Sequence, residues 1–197
     1  MSVLTGEDGK TRCAWVGRDA EYSRYHDEEW GTALHGDREL FEKLALEGFQ
    51  AGLSWITILK RRPAFRAAFH DFDLERVAAM TPTETDALMQ DASIIRNRAK
   101  IEATISNAGV ALELVRSRSG ALDDLLWSFA PPPRRRAPRD FSEVDAVTSE
   151  STAMSKALRT LGFRFVGPTT MHALMQSTGM VDDHVEGCWR ARTAGAL

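Results

Sequence analysis

Four residues near the two ends of the chain have the types that hold a tetrahedral metal: Cys13 and His26 upstream, His184 and Cys188 downstream. The H-x3-C spacing of His184 and Cys188 puts both on one helical face or around one turn. Two imidazoles and two thiolates suit zinc with all four positions filled by protein, which is a structural site. Such a site would clip the N-terminal segment to the C-terminal one. The same residues also fit two buried free thiols, or one long-range Cys13–Cys188 disulfide.

A second group concerns a flat ligand. Both tyrosines of the chain, Tyr22 and Tyr25, lie between Trp15 and Trp30. Aromatic side chains concentrated on an irregular segment suggest a stacking pocket, or simply packing onto helices. Glu47 lies in LALEGFQAGLSWITIL, at the flank of the apolar stripe of Leu40, Phe41 and Leu44, and is the only ionisable residue between Lys43 and Lys60. A desolvated carboxylate there needs a donor or a cation, whereas a solvated one would merely end its helix. Trp55 follows on the far side of Gly52. A carboxylate among tryptophan and tyrosine faces would select a flat cation over its neutral analogue.

Three basic stretches could meet phosphates: MQDASIIRNRAKI at 89–101, KRRPAFR at 60–66 and RRRAPR at 134–139. Two short helices joined by a tight apolar turn, with Arg96, Arg98 and Lys100, would offer backbone amides and cations together. Taken separately, each stretch reads first as solvated surface. With 25 Lys and Arg against 28 Asp and Glu, the net charge of -3 excludes a globally basic nucleic-acid-binding surface.

The elements that must position these groups read as helices. Asp37 opens an amphipathic segment that breaks at Gly52, and a second runs from Leu53 to about Arg62, ended by Pro63. Thr81-Pro82-Thr83-Glu84 is a capping-box start. Ile101, Ile105, Ala108, Leu112 and Val115 mark a long helix face, and Met154 to Leu161 another that Gly162 stops. Gly167-Pro168 starts a further helix ended by Gly179. No sustained alternation of period two occurs, so the expected class is all-α. Residues 1–11 read as a loose tail, 12–35 as irregular, and 130–137 as a Pro/Arg-rich loop running on as poor helix to about Val147. A length of 197 residues fits one compact domain or two apposed lobes. No apolar run suits a membrane span or a leader.

The stretches RCAWVG, YSRYHDEEWG, LEGFQAGLSWITILKRR, QDASIIRNRAKI, LGFRFVGPTT and DDHVEGC closely resemble the 3-methyladenine DNA glycosylase I family, from about Arg12 to Trp189. The resemblance implies an all-α helix–hairpin–helix glycosylase fold, one domain over 12–190 of two closely packed helical lobes, between flexible tails at 1–11 and 191–197. A zinc site would join its ends. It implies a cytoplasmic, monomeric, monofunctional base-excision repair enzyme that hydrolyses the N-glycosidic bond of 3-methyladenine in double-stranded DNA after base flipping, releasing the free base. Carried across, Cys13, His26, His184 and Cys188 become ligands of one structural zinc. Glu47 becomes the base-recognition carboxylate and the residue on which catalysis rests, in a pocket of Trp15, Tyr22, Tyr25 and Trp55. Gly52 and Leu53 insert into DNA, and the 91–100 hairpin, with Ser93, Ile94, Arg96 and Lys100, lies on it. Ser93 departs from the glycine often found at that turn. The water-activating Asp of many superfamily relatives has no counterpart in this family; Asp123 and Asp124 read as helix-start residues. Nothing implies a lysine Schiff base, so lyase activity is expected to be absent. Two other readings share parts of this pattern: a glycosylase of broader alkylpurine range, and a non-catalytic zinc-stabilised DNA-binding module that needs no enclosed carboxylate–aromatic pocket.

Overall fold

A computed structural model of the chain describes residues 1–191. The tail expected at 191–197 thus lies, apart from Ala191, outside the described residues. The architecture is helical: α1 (Ala20–Glu28), α2 (Asp37–Gln50), α3 (Trp55–Ala68), α4 (Leu74–Ala78), α5 (Pro82–Leu88), α6 (Arg98–Ser117), α7 (Ala121–Trp127), α8 (Ser149–Thr160) and α9 (Pro168–Ser177). None of these helices is long and apolar enough to cross a membrane.

α2 is the central element. Residues 40 to 49 are all buried, and the helix packs against α3, α6, α7 and α9. A helix segment buried all round must hide its charges in pairs, and residues 40 to 49 carry three: Glu42 meets Arg66 at 2.8 Å, Lys43 meets Glu29 at 3.2 Å, and Glu47 faces a cavity described below. Its N-terminus is fixed by reciprocal capping with α7. Asp37 accepts the N–H groups of Gly120, Leu122 and Asp123, and Asp123 accepts that of Gly36. Each carboxylate satisfies amides at the positive end of the other helix. Asp123 thus serves as a helix-start residue, in agreement with the sequence reading.

The predicted capping box at Thr81 and Glu84 is present, and α6, α8 and α9 match their predicted stretches. Three local expectations are corrected. Residues 1–11 are not a loose tail: β1 (Val3–Thr5) pairs antiparallel with β2 (Thr11–Cys13) around a turn at Gly9, and Arg12 locks it with forks onto Asp8 and Asp27. Strands of three residues are too short to show alternation. Second, α1 occupies part of the supposedly irregular 12–35 segment. It buries only Tyr25 and His26, so it has no apolar stripe, and Asp19 caps it by accepting from Tyr22 N–H. Third, α3 continues through Pro63 to Ala68. Proline removes one backbone bond, but Ile58, Leu59, Phe65 and the following Phe69 are buried on both sides of it and hold the helix together.

Candidate functional site

The C-terminal part of α2, the start of α3, the helix α1 and the C-terminal half of α9 line an open cavity of about 260 Å³. Its lining includes four aromatic residues expected from sequence: Trp15, Tyr22, Tyr25 and Trp55. The three-residue spacing of Tyr22 and Tyr25 on α1 turns both inward. Trp15 packs on Tyr22 with centroids 4.8 Å apart, and Tyr25 on Trp55 at 5.5 Å. A larger cavity of about 420 Å³, bounded by the 130–137 loop and His172, lacks this continuous aromatic wall.

Glu47 reaches the same cavity from α2 and is only 3% exposed. Its Oε2 is buried without a hydrogen-bond partner, and so is Nε1 of Trp55. The cavity lining therefore carries an unmatched acceptor and an unmatched donor, which a flat heteroaromatic ligand would satisfy. Burial pushes the Glu47 carboxyl up to about 7, against the opposing influence of the Ser177 hydroxyl and the Lys43 ammonium. A ligand with positive charge would draw it back to the ionised form.

Sequence reasoning missed several lining residues. Trp30 was seen only as a boundary, and Gln50, Phe141, Gln176 and Ser177 were not singled out. Gln50 ends α2, and Gln176 and Ser177 end α9, so the converging C-termini of two helices could have suggested them. Phe141 sits on a short turn after the Pro/Arg-rich loop, where no periodicity points inward.

Beside this cavity the two chain ends meet. The ligand atoms of Cys13, His26 and Cys188 lie within 4.8 Å of one another, all buried, with His26 Nε2 3.4 Å from Cys188 Sγ. No disulfide joins the thiols. The His184 ring packs edge-on against His26 with centroids 4.9 Å apart, and its Nε2 is buried without a partner. The other nitrogen of each ring is fixed by a carboxylate: His26 Nδ1 to Asp27 at 2.9 Å and His184 Nδ1 to Asp182 at 2.8 Å. This is the outer shell that commonly orients metal-binding imidazoles. The Cys13 thiol's hydrogen bond pushes the Cys188 thiol down from its ordinary range. Gly31 leaves room for His184, since a Cβ there would stand 2.7 Å from its ring. Cys13, His26 and Cys188 could together hold a metal ion, and His184 lies outside that close group. Trp30 packs on both imidazoles and also lines the cavity, so one indole couples cluster and pocket.

The expected DNA-facing residues divide. Gly52 takes a φ of +83 with nothing near its Cβ position, and Leu53 beside it is 40% exposed, unusual for leucine. Ser93 and Arg96 are exposed. Ser93 donates N–H and Oγ to Asp91, and its turn needs no positive φ, so serine serves where glycine was expected. Arg61 binds the turn by donating to the carbonyls of Ala92 and Ser93. Two residues are placed otherwise. Ile94 is buried and anchors the hairpin in the core. Lys100 is turned inward, its Nζ donating to the carbonyls of Phe49 and Ala51 at 2.8 and 2.7 Å. It supplies the unmet end of α2 rather than a phosphate.

Comparison with known proteins is consistent with this geometry. The methyladenine glycosylase family model matches residues 15–191. A DNA-3-methyladenine glycosylase of Haemophilus influenzae is 47% identical over 180 residues, 90% of this chain and 96% of that protein. A crystal structure of 3-methyladenine DNA glycosylase I superposes with a TM-score of 0.88 at 43% identity, covering 92% of this chain and 100% of that one. A variant of a 3-methyladenine DNA glycosylase I solved in complex with 3-methyladenine gives a TM-score of 0.86 at 35% identity, covering 93% and 98%. The chain belongs to the methyladenine glycosylase family.

Proposed function

We propose that this protein is a monofunctional DNA glycosylase that excises 3-methyladenine from alkylated duplex DNA and releases the free base. The observation that carries this reading is Glu47: a carboxylate buried in an aromatic cavity with one oxygen unpartnered. A stacked base cannot enter such a cavity, so the nucleotide must be flipped out, at a cost of a few kcal/mol. Leu53, exposed on the turn next to the cavity, would fill the gap left in the stack, with Gly52 giving the backbone room to approach. Arg96 and the amides around Ser93 would hold flanking phosphates.

Methylation at N3 gives the adenine a positive charge. When its glycosidic bond breaks, the bonding electrons go to the base, which leaves neutral. Water adds its oxygen to the sugar carbon and loses a proton to solvent. Because the leaving group is already activated, recognition matters more than a strong general acid. Glu47 would favour the cationic lesion and accept from the exocyclic amine, while Trp15, Tyr22, Tyr25 and Trp55 enclose the ring. The enzyme would act as one glycosylase domain over 12–190 and as a monomer. Cys13, His26, His184 and Cys188 would hold one zinc, which when bound ties the chain ends and leaves no site for substrate.

The test is incubation with methylated duplex DNA and identification of the released bases. Release of 3-methyladenine is expected. Additional alkylpurines would indicate the broader-range enzyme. DNA binding without any released base would leave a binding module.

A further inference from the structure

Lys43 and Glu47 stand one helical turn apart on α2, and both are buried. The Lys43 Nζ lies 4.9 Å from the centroid of the Tyr25 ring and 5.9 Å from that of Trp55. The ammonium thus stands against two rings that line the base cavity, and Glu47 lines that cavity too. Lys43 Nζ is bonded to Glu29, at 3.2 Å, but Glu29 is already gripped by both terminal nitrogens of Arg62, at 2.5 and 2.8 Å. Glu29 and Arg62 cancel in charge. Lys43 and Glu47 are the positive and negative charges left over. An aliphatic side chain would fill the position without the cost of burying an ammonium.

We propose that Lys43 is a positioning residue for base excision: a buried ammonium behind the Tyr25 and Trp55 rings that favours the charged form of Glu47 against its burial and so sets the pH range over which a cationic base is accepted. This rests on the glycosylase reading above.

Charged groups on the surrounding elements are engaged elsewhere. On α1, burial keeps Tyr22 and Tyr25 protonated and Arg24 pairs with Glu21. On α3, Arg62 is held by Glu29 and Arg66 by Glu42. In the turn after α3, His70 meets Arg76. Lys100 of α6 serves the end of α2, and Asp123 of α7 serves its start. On α9, His172 faces Asp183 at 3.5 Å, and Ser177 bears on Glu47 only as a neutral hydroxyl. Lys43 is therefore the cation placed to act on Glu47.

The experiment is the pH profile of kcat/KM for release of 3-methyladenine from methylated duplex DNA. The lesion's charge is fixed by its methyl group, so an acid limb reports the free enzyme. In Lys43→Met the midpoint of that limb should rise by about one pH unit, lowering the rate about tenfold below both midpoints and little well above them. Lys43→Arg should keep the wild-type midpoint. If Lys43→Met is insoluble, Lys43→Gln carries the same test. A uniform loss at every pH with an unmoved midpoint would make Lys43 a packing residue and overturn the proposal. Glu47→Gln separates the two levels. If it removes the acid limb and Lys43→Met does not shift it, only the Lys43 assignment fails. If it keeps the limb, or the wild type releases no 3-methyladenine, the reading of the pocket fails as well.

Discussion

Replacing Glu47 with Gln should weaken function and strengthen the empty fold. Burial raises this carboxyl from 4.5 to about 7. The unfolded chain ionises it near its ordinary value, so the folded state binds the proton more tightly. The resulting penalty is absent below about pH 4.5, grows between 4.5 and 7, and is complete above 7. At about 1.4 kcal/mol per unit, the full penalty is about 3 kcal/mol. Glutamine keeps the shape of the protonated form and never ionises. The Tm of Glu47→Gln should therefore match the wild type near pH 4 and exceed it at pH 8. At about 2–4 °C per kcal/mol for a domain of this size, the gain is roughly 6–12 °C. The same variant loses a charged hydrogen bond to the lesion, worth roughly 1.5–3 kcal/mol, so excision should fall about tenfold to two-hundredfold. Thermal melts at the two pH values and single-turnover excision from methylated DNA measure both arms. A Tm at pH 8 equal to or below the wild type, or undiminished excision, would refute the argument, because Glu47 would then be neither desolvated nor in contact with the base.

Other outcomes follow from the same geometry. Elemental analysis should find one zinc per chain in the wild type and none in Cys13→Ser, which should also lower Tm far more than it alters the base cavity, since metal binding and folding are linked. Trp15→Ala and Tyr25→Ala should each weaken binding of free 3-methyladenine, measured by calorimetry, by about tenfold to a hundredfold, in line with roughly 1–3 kcal/mol per stacked base. Arg96→Glu should reduce the slope of log affinity against log salt by at least about one for any duplex sequence. Lys100→Met should leave that slope unchanged and lower Tm instead, because its ammonium serves backbone carbonyls.

How legible these features were depends on how local their causes are. The Thr81 capping box and the stepped apolar positions of α6 are written in neighbouring residues, and both appear where expected. Glu47 and the aromatic group could be nominated because residue type alone restricts their chemistry. The direction of a long side chain could not. Lys100 looks like one cation of a basic run, yet it turns inward because α2 ends nearby with unmet carbonyls, a fact of tertiary contact 49 and 51 positions away. Ile94 likewise packs inward although Ser93 beside it is exposed. α1 escaped notice because it buries only Tyr25 and His26. The strands β1 and β2 escaped because three residues cannot display a period.

The meeting of the two chain ends also has a bearing on how the protein matures. His26 and Cys188 are 162 positions apart, and Trp189 caps the arrangement by donating its N–H to Thr11 and its indole N–H to Asp27. A polypeptide emerging at about 5–20 residues per second exposes Cys13, His26 and the indoles around them for roughly ten seconds or more before the downstream half of the cluster exists. Trp30 cannot be covered by His184 until then. The helices around α2 can pack while synthesis continues, but one wall of the base cavity is finished last. Closing so long a loop contributes a late, topologically slow step. A nascent or C-terminally clipped chain would therefore present a nearly complete helical body with an unfinished pocket, its early thiol open to oxidants in the interval.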